Sequence, residues 1–264
     1  MQVAVVGAAG RMGAEVCRAV AGTDDLQLAA AVDPQAAGRS LAEVAGIDTD
    51  LQIAGDLDAI TDAGITVAVD FTHPSVVADN VRWLLDHGVH AVVGTTGLDA
   101  DTIDDLRERA AAGEANALIA PNFAIGAVLM MQFAAQACRH LPDAEIIELH
   151  QDNKADAPSG TALRTAELMD AERVARSAPI GGDDAYPGAR GHTVRGTPIH
   201  SVRLPGLVAH QEVILGGQGQ TLTIRHDSTD RTSFMPGVLL AVRAVPELRT
   251  TNGQSLVVGL EELL

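Results

Sequence analysis

Nearly continuous apolar runs alternate with amphipathic stretches through the first half of the chain. Such runs are typical of strands that are covered on both faces, and the stretches between them have the period of helices. Because strands and helices alternate, the pattern predicts an N-terminal Rossmann-type parallel sheet of the α/β class. The predicted strands are 2–6, 26–32, 66–71, 90–93 and 117–120, and the predicted helices are 14–21, 74–86, 99–112 and 126–140.

The pattern changes in the second half. A strand at 144–150 and a helix from 161 to about 176 precede a segment, 177–198, that is rich in Gly and Pro and has no clear periodicity. Three strand-like runs without intervening helices then indicate a second α+β domain with a mixed open sheet. These runs are 199–204, 211–216 and 221–227, followed by a helix at 234–245 and a short strand at 255–259. We predict one domain of residues 1–127 with 236–264, and another of residues 128–235.

Composition and charge limit the partners of the chain. The sequence has 264 residues, 47% of them apolar, and a formal net charge of −17 with a pI near 4.7. The apolar content is enough for a folded core, and the negative charge would repel nucleic acid and anionic membranes. No apolar run reaches the roughly 18 residues of a membrane span, and the chain begins with a strand and not with a signal peptide. We therefore expect a cytoplasmic protein with neither nucleic acid nor membrane as a partner.

The cysteines and histidines do not predict a metal site. Cys17 and Cys138 lie in apolar helical patterns and are expected to be buried thiols. His87 and His90 are close in sequence, but Gly88 and the expected helix end separate them.

A glycine-containing turn joins the first strand to the first helix. A turn of this kind places backbone N–H groups and a helix N-terminus against a pyrophosphate, although Ala9 stands where the usual motif has its second glycine. Asp33 ends the second strand twenty residues after Gly13, where a carboxylate would bind an adenosine ribose. No arginine directly follows Asp33, which favours NADH, while Arg11 and Arg39 leave NADPH open. The turn consists of Gly7, Ala8, Ala9, Gly10, Arg11 and Met12.

Small and polar residues follow two further strands of the predicted sheet. In open α/β sheets the ligand lies at the carboxyl ends of the strands, so these residues are candidate contacts for the nicotinamide half of the cofactor. They are Gly94, Thr95 and Thr96 after one strand, and Ala120, Pro121, Asn122 and Phe123 after the next.

A chemically rich loop follows the strand that ends at His150. Lys154 is the only lysine of the chain, and lysine, unlike arginine, can deliver a proton. The residues Ser159, Gly160 and Thr161 open the next helix and would suit a carboxylate. Taken alone, these features are also compatible with a surface loop and an ordinary helix cap.

Several separated motifs, in the same order, resemble those of the 4-hydroxy-tetrahydrodipicolinate reductase family, formerly called dihydrodipicolinate reductases. The resemblance covers essentially the whole chain, and the part from Ser201 to Arg231 is close to the actinobacterial branch. The motifs are Gly7-x-x-Gly10-Arg11-Met12-Gly13, Asp70-Phe71-Thr72, Gly94-Thr95-Thr96-Gly97, Ala120-Pro121-Asn122-Phe123 and Lys154-x-Asp156-Ala157-Pro158-Ser159-Gly160-Thr161.

The resemblance implies hydride transfer from NADH or NADPH to a cyclic imine dicarboxylate. It implies that the first domain binds the dinucleotide, and that the second binds the substrate and forms a homotetramer through its sheet. It assigns proton transfer to His150 and Lys154, and contacts with a substrate carboxylate to Gly160 and Thr161. The family commonly has a second histidine where this chain has Gln151, which can still donate a hydrogen bond but cannot become cationic.

Two other functions are compatible with the same sequence. One is a Rossmann dehydrogenase that forms a thioester, which would need an activated cysteine. The other is a nucleotide-binding protein without catalysis, because a fold does not fix a function.

Overall fold

The computed structural model describes residues 1–174, 185–186 and 188–264. The chain forms two compact units, one of Met1–Phe123 with Phe234–Leu264 and one of Ala124–Ser233. The strands in chain order are β1 (Gln2–Val6), β2 (Gln27–Val32), β3 (Val67–Asp70), β4 (His90–Val93), β5 (Ala117–Ile119), β6 (Asp143–His150), β7 (His192–Val194), β8 (Thr197–Arg203), β9 (Ala209–Gly217), β10 (Gln220–Ser228) and β11 (Leu256–Val258). The helices are α1 (Arg11–Ala21), α2 (Leu41–Ala45), α3 (Asp58–Asp62), α4 (Val77–Asp86), α5 (Ala100–Ala112), α6 (Ile125–Cys138), α7 (Gly160–Glu172), α8 (Met235–Ala244) and α9 (Leu248–Thr251).

The first unit is built on a six-stranded sheet in the order β11-β5-β4-β3-β1-β2. Every pairing in this sheet is parallel, which confirms the predicted Rossmann-type sheet. All four residues of β3 are buried, as are the last four of β1, because both faces of these strands are covered. The carboxyl ends of the parallel strands therefore form one common edge, where the turns after β1, β3, β4 and β5 lie.

The C-terminal segment belongs to the first unit. β11 pairs with β5, and α8 packs against α1. The Asn116 side chain fixes this segment, since its Nδ2 donates to the carbonyl oxygens of Val245 at 2.9 Å and Pro246 at 3.0 Å. Arg249 Nε in turn donates to Asn116 Oδ1 at 2.9 Å. These contacts hold the C-terminal segment beside the strand that leads to the Ala120–Phe123 turn.

The second unit contains a five-stranded sheet in the order β10-β9-β6-β8-β7. Only β6 and β8 run parallel, so the sheet is mixed, as predicted. The helices α6 and α7 pack against each other and against one face of this sheet, burying Ile146, Val213 and Leu215. We call this the helical face, and we call the opposite one the open face.

Several predicted boundaries differ from the structure. The helix at 14–21 begins earlier, at Arg11, and the helix at 74–86 begins later, at Val77. The helix that opens at Gly160 ends at Glu172, and the predicted end at 175–176 lies outside the described residues. Part of the segment 177–198 is regular, because it contains β7 and the start of β8, whereas 175–184 and 187 are not described. The unit boundary lies at 123/124 because α6, from Ile125, packs on the second unit's sheet.

Within the described residues, no helix is long and apolar enough to span a membrane. No three His, Cys, Asp or Glu side chains in this part of the chain are grouped as metal ligands. The histidines near the end of α4 have other partners. The His87 ring stacks on Trp83 with centroids 3.9 Å apart, and His90 Nδ1 accepts the Asn116 backbone N–H at 2.9 Å.

Candidate active site

The turn after β1 brings backbone and helix into unusually close contact. Gly7 has φ +80, and a Cβ there would lie 2.5 Å from the carbonyl oxygen of Phe71. A Cβ at Gly13 would lie 2.0 Å from the carbonyl oxygen of Gly7, so α1 can lie against the turn only because residue 13 is glycine. Gly10 and Arg11 are exposed, which leaves the backbone at the start of α1 accessible. This arrangement fits a dinucleotide pyrophosphate at the helix N-terminus.

Asp33 lies beside this turn although it is far away in the sequence. Its Oδ2 accepts the Ala9 N–H at 3.1 Å, and its Oδ1 accepts the Gln35 N–H at 3.0 Å. The two hydrogen bonds hold the carboxylate at the carboxyl end of β2, next to the turn. A ribose hydroxyl pair could bind a carboxylate in this position, so the residues present fit a dinucleotide.

A buried carboxylate connects the turns that follow β3 and β4. Asp70 is fully buried, and its Oδ1 accepts hydrogen bonds from Thr72 Oγ1 at 2.7 Å and from Thr95 Oγ1 at 3.1 Å. Its Oδ2 accepts a hydrogen bond from Asn80 Nδ2 at 2.8 Å. Burial raises the pKa of Asp70, and the hydrogen bonds from these neutral groups lower it by less. The Gly94–Thr96 turn is thus fixed to its neighbour by Asp70.

Aromatic packing connects the same edge to the turn after β5. The Phe71 and Phe123 rings lie 5.8 Å apart, between centroids. A Cβ at Gly94 would lie 2.1 Å from the Phe71 ring, so the ring occupies the space that a larger residue 94 would need. Phe71 therefore contacts three of the predicted cofactor turns, those that contain Gly7, Gly94 and Phe123.

His150 is the last residue of β6, on the helical face of the second sheet. Its Nδ1 lies 2.5 Å from Oε2 of Glu148, and its carbonyl oxygen accepts the Leu204 N–H at 3.1 Å. The His150 side chain is only 14% exposed. The ring is therefore held by its own strand and not by the loop that follows.

Glu148 and Arg203 form an ion pair between the parallel strands β6 and β8, in which the carboxylate is buried and the arginine is partly buried. The guanidinium is bidentate, with Nη1 2.9 Å from Glu148 Oε2 and Nη2 2.8 Å from Oε1. Burial raises the pKa of Glu148, but hydrogen bonds from His150, Arg203 and Ser201 outweigh this effect and lower the pKa to about 2. The carboxylate is consequently ionised at neutral pH.

The loop after His150 contains no helix until Ser159. Lys154 Nζ binds both oxygens of Asp156, at 2.7 and 2.9 Å, and this contact lowers the pKa of the Asp156 carboxyl. Ser159 Oγ accepts the Ala162 N–H at 3.3 Å and is the N-cap of α7, with Gly160 and Thr161 in the first turn. Gln151 is exposed, and its carbonyl oxygen accepts the Lys154 N–H at 3.2 Å.

The structure places the predicted residues in two groups. Gly7 to Met12, Asp33, Gly94 to Thr96 and Ala120 to Phe123 follow the carboxyl ends of strands in the first unit. His150, Gln151, Lys154 and Ser159 to Thr161 lie between the end of β6 and the first turn of α7 in the second unit.

Sequence reasoning left four contributors out of the candidate site: Asp70, Phe71, Glu148 and Arg203. Asp70 and Phe71 belong to the motif Asp70-Phe71-Thr72, which carried the resemblance but was not assigned a contact, and Glu148 gave a weak signal as a carboxylate inside a strand-like run. Arg203 gave none, because its partner Glu148 is 55 residues away.

The two cysteines are buried and free. Burial raises the pKa of the Cys17 thiol to about 12, and the Arg18 charge lowers it by less. The thiolate is the reactive form of cysteine, so this residue is a poor candidate for a thioester intermediate.

Two family models match the chain. The model described as dihydrodipicolinate reductase, N-terminus, matches residues 1–123, and the model described as dihydrodipicolinate reductase, C-terminus, matches residues 126–264. Together they cover both units.

Full-length relatives and a solved structure agree with these models. The 4-hydroxy-tetrahydrodipicolinate reductases of Nocardia farcinica and Mycolicibacterium vanbaalenii are 51% and 50% identical to this chain. The alignments cover 100% of the chain and 98% and 99% of the two relatives, respectively. A dipicolinate-bound dihydrodipicolinate reductase from a Paenisporosarcina species superposes with a TM-score of 0.88 at 39% identity, over 100% of this chain and 99% of that one.

Proposed function

The chain belongs to the 4-hydroxy-tetrahydrodipicolinate reductase family, and from this premise we propose how its residues carry out the reduction. It is an oxidoreductase of lysine and diaminopimelate biosynthesis that uses NADH or NADPH. The proposed reaction converts 4-hydroxy-tetrahydrodipicolinate to tetrahydrodipicolinate. It takes up one hydride and one proton and releases water, so the protein must bind a dicarboxylate and manage a proton.

The first unit supplies the proposed cofactor site. The start of α1 offers N–H groups that have no partner within the helix, and the helix dipole favours the negative pyrophosphate there. Asp33 receives the adenosine ribose, and the turns at Gly94–Thr96 and Ala120–Phe123 receive the nicotinamide half. When bound, the nicotinamide supplies the hydride.

The loop between β6 and α7 supplies the proposed substrate site. A dicarboxylate approaching a chain of net charge −17 needs a local positive site, and Lys154 together with the start of α7 provides one. The hydrogen bond between Lys154 and Asp156 is solvent-exposed and weak, so a substrate carboxylate can replace it. We place the carboxylate contacts at Ser159, Gly160 and Thr161, with Gln151 as a hydrogen-bond donor. The dipicolinate in the Paenisporosarcina relative is a cyclic dicarboxylate, which supports a cyclic dicarboxylate as the substrate class.

His150 and Lys154 manage the proton in this proposal. Histidine changes charge near neutral pH and lysine carries a proton, so both can donate one to the reduced ring or to the departing hydroxyl. The observation that carries the assignment to His150 is the contact between its Nδ1 and Glu148, because this contact occupies one ring nitrogen and leaves Nε2 for proton transfer.

The test is turnover by two variants, Lys154→Ala and His150→Gln. Each should lower kcat by about 10²-fold or more, the usual size of an acid–base contribution, while NADH binding stays nearly unchanged. The measurement is nicotinamide oxidation with the freshly formed condensation product of pyruvate and aspartate semialdehyde as substrate. Wild-type turnover in either variant would remove that residue from proton transfer.

We further propose that the second unit assembles with copies of itself through the open face, as the family resemblance implies. Among the described residues no helix lies over this face, and four apolar side chains on its central strands stay partly exposed. Association would bury this apolar stripe. The four residues are Ile147, Leu149, Val202 and Ile214.

A further inference from the structure

We propose that Glu148 and Arg203 are positioning residues that set which nitrogen of His150 exchanges the proton. The inference rests on the proposed function, which gives proton transfer to His150. In this arrangement the carboxylate of Glu148 holds Nδ1–H, Arg203 holds the carboxylate, and Nε2 is the nitrogen that faces the substrate.

The contacts of Glu148 differ from those of a simple ion pair. Oε1 accepts from Arg203 Nη2 at 2.8 Å and from the Ser159 N–H at 3.3 Å. Oε2 accepts from Arg203 Nη1 at 2.9 Å and lies 2.5 Å from His150 Nδ1. Arg203 alone would compensate the buried charge, so the contact with His150 is an additional one with its own consequence.

That consequence concerns the tautomer of the ring. An ionised carboxylate has no proton and can only accept a hydrogen bond. The short contact therefore requires a proton on Nδ1 of His150, whether the ring is neutral or charged. Nε2 is then the only ring nitrogen whose protonation can change during turnover.

Arg203 extends the same control to the loop. Its Nη2 donates to the carbonyl oxygen of Asp156 at 2.6 Å, and its Nε donates to that of Lys154 at 3.4 Å. The Ser159 N–H, at the start of α7, is bound to the same Glu148 carboxylate. One ion pair with a buried carboxylate thus fixes His150, the backbone of the Lys154 loop and the N-terminus of the proposed carboxylate site relative to one another.

A double-mutant cycle tests this arrangement in the full-length protein. We expect Glu148→Gln to lower kcat by about 10²-fold, because the neutral amide can also stabilise the wrong tautomer. In a His150→Gln background, the same change should lower kcat by a clearly smaller factor, because the part of its effect that acts through His150 is already lost and only the part that acts through the loop remains. Glu172→Gln, which removes an exposed carboxylate bound to Arg139 in the same unit, is the matched control and should leave kcat unchanged.

Each outcome separates the two proposals. If His150→Gln keeps wild-type turnover, the proposed proton transfer fails. If His150→Gln is impaired but Glu148→Gln is not, or if Glu148→Gln costs the same factor in both backgrounds, only the positioning role fails.

A second measurement does not depend on the stability of a variant. Imidazole ¹⁵N spectra of the wild-type protein, with the His150 signals assigned by their loss in His150→Gln, report the tautomer directly. We expect the neutral ring to carry its proton on Nδ1. A neutral ring protonated on Nε2 would overturn the positioning role.

Discussion

Two fully buried carboxylates, Asp70 and Glu148, behave in opposite ways because their partners differ in charge. Asp70 receives hydrogen bonds from the neutral side chains of Thr72, Asn80 and Thr95, and burial raises its pKa. Burial also raises the pKa of Glu148, but the guanidinium of Arg203 and the ring of His150 more than offset this and lower it to about 2. The first carboxylate connects strand-end turns, whereas the second stays ionised and can control a neighbouring proton.

We expect the single residue Asp33 to affect the preference between NADH and NADPH. Asp33→Ala should weaken NADH binding by about 10- to 100-fold, since each lost hydrogen bond to a charged group is worth about 1.5–3 kcal/mol. NADPH should be affected less, because its 2′-phosphate does not gain from a neighbouring carboxylate. Fluorescence titration with both cofactors measures the difference, and Asp24→Ala, which removes an exposed carboxylate before the opposite end of β2, is the control. Equal weakening of both cofactors would remove Asp33 from the ribose.

The single elements follow local rules to very different degrees. β1 and β4 coincide with their predicted bounds, because a strand buried on both faces is a continuous apolar run. The five-residue helices α2 and α3 and the three-residue strand β7 were not predicted, since elements this short show no full period. The cap of α7 at Ser159 could be predicted because it depends only on its own neighbours.

The contact between α1 and the glycine turn gives a test at this scale. Gly13→Ala would place a Cβ 2.0 Å from the carbonyl oxygen of Gly7, which is backbone and cannot move aside cheaply. We expect a loss of about 1–3 kcal/mol in the free energy of unfolding, despite the better helix propensity of alanine, together with weaker cofactor binding. Gly113→Ala is the control, because its nearest contact would be an ordinary 3.5 Å. Thermal or urea unfolding of both variants checks the result, and equal stability would contradict the close contact.

At the scale of the whole molecule, the two faces of the second sheet differ in what covers them. Successive side chains along each strand point alternately to the helical face and to the open face. Residues that pair across β9 and β10 point to the same face, so Leu222 shares the helical face with Leu215, whereas Ile214 lies on the open face. The open face carries an apolar stripe over which none of the described helices lies.

Assembly through the open face can be tested with one substitution on each face. Ile214→Glu should shift the sedimenting species to a smaller mass, because a charge would have to be buried in the interface. Leu222→Glu places the same charge on an exposed residue of the helical face, 41% exposed, and should leave the mass unchanged. A wild-type protein that sediments as a monomer, or two variants that behave alike, would contradict the proposal.

The sequence by itself determined the features that depend on neighbours along the chain. The alternation of strands and helices, the glycine turn after β1, the cap at Ser159 and the unusual Lys154 are all local, and local periodicity and turn chemistry are encoded in consecutive residues. They were sufficient to predict both sheets and most of the candidate site.

Only the tertiary structure decided which distant residues meet. It brought Arg203 to Glu148 across 55 residues, Thr95 to Asp70 across 25, and Asp33 to Ala9 across 24. It also showed that the Glu148 side chain is buried and that Arg203 compensates its negative charge. The physical reason is that burial and ion pairing depend on strand order and register, which are properties of the whole sheet and of no single segment.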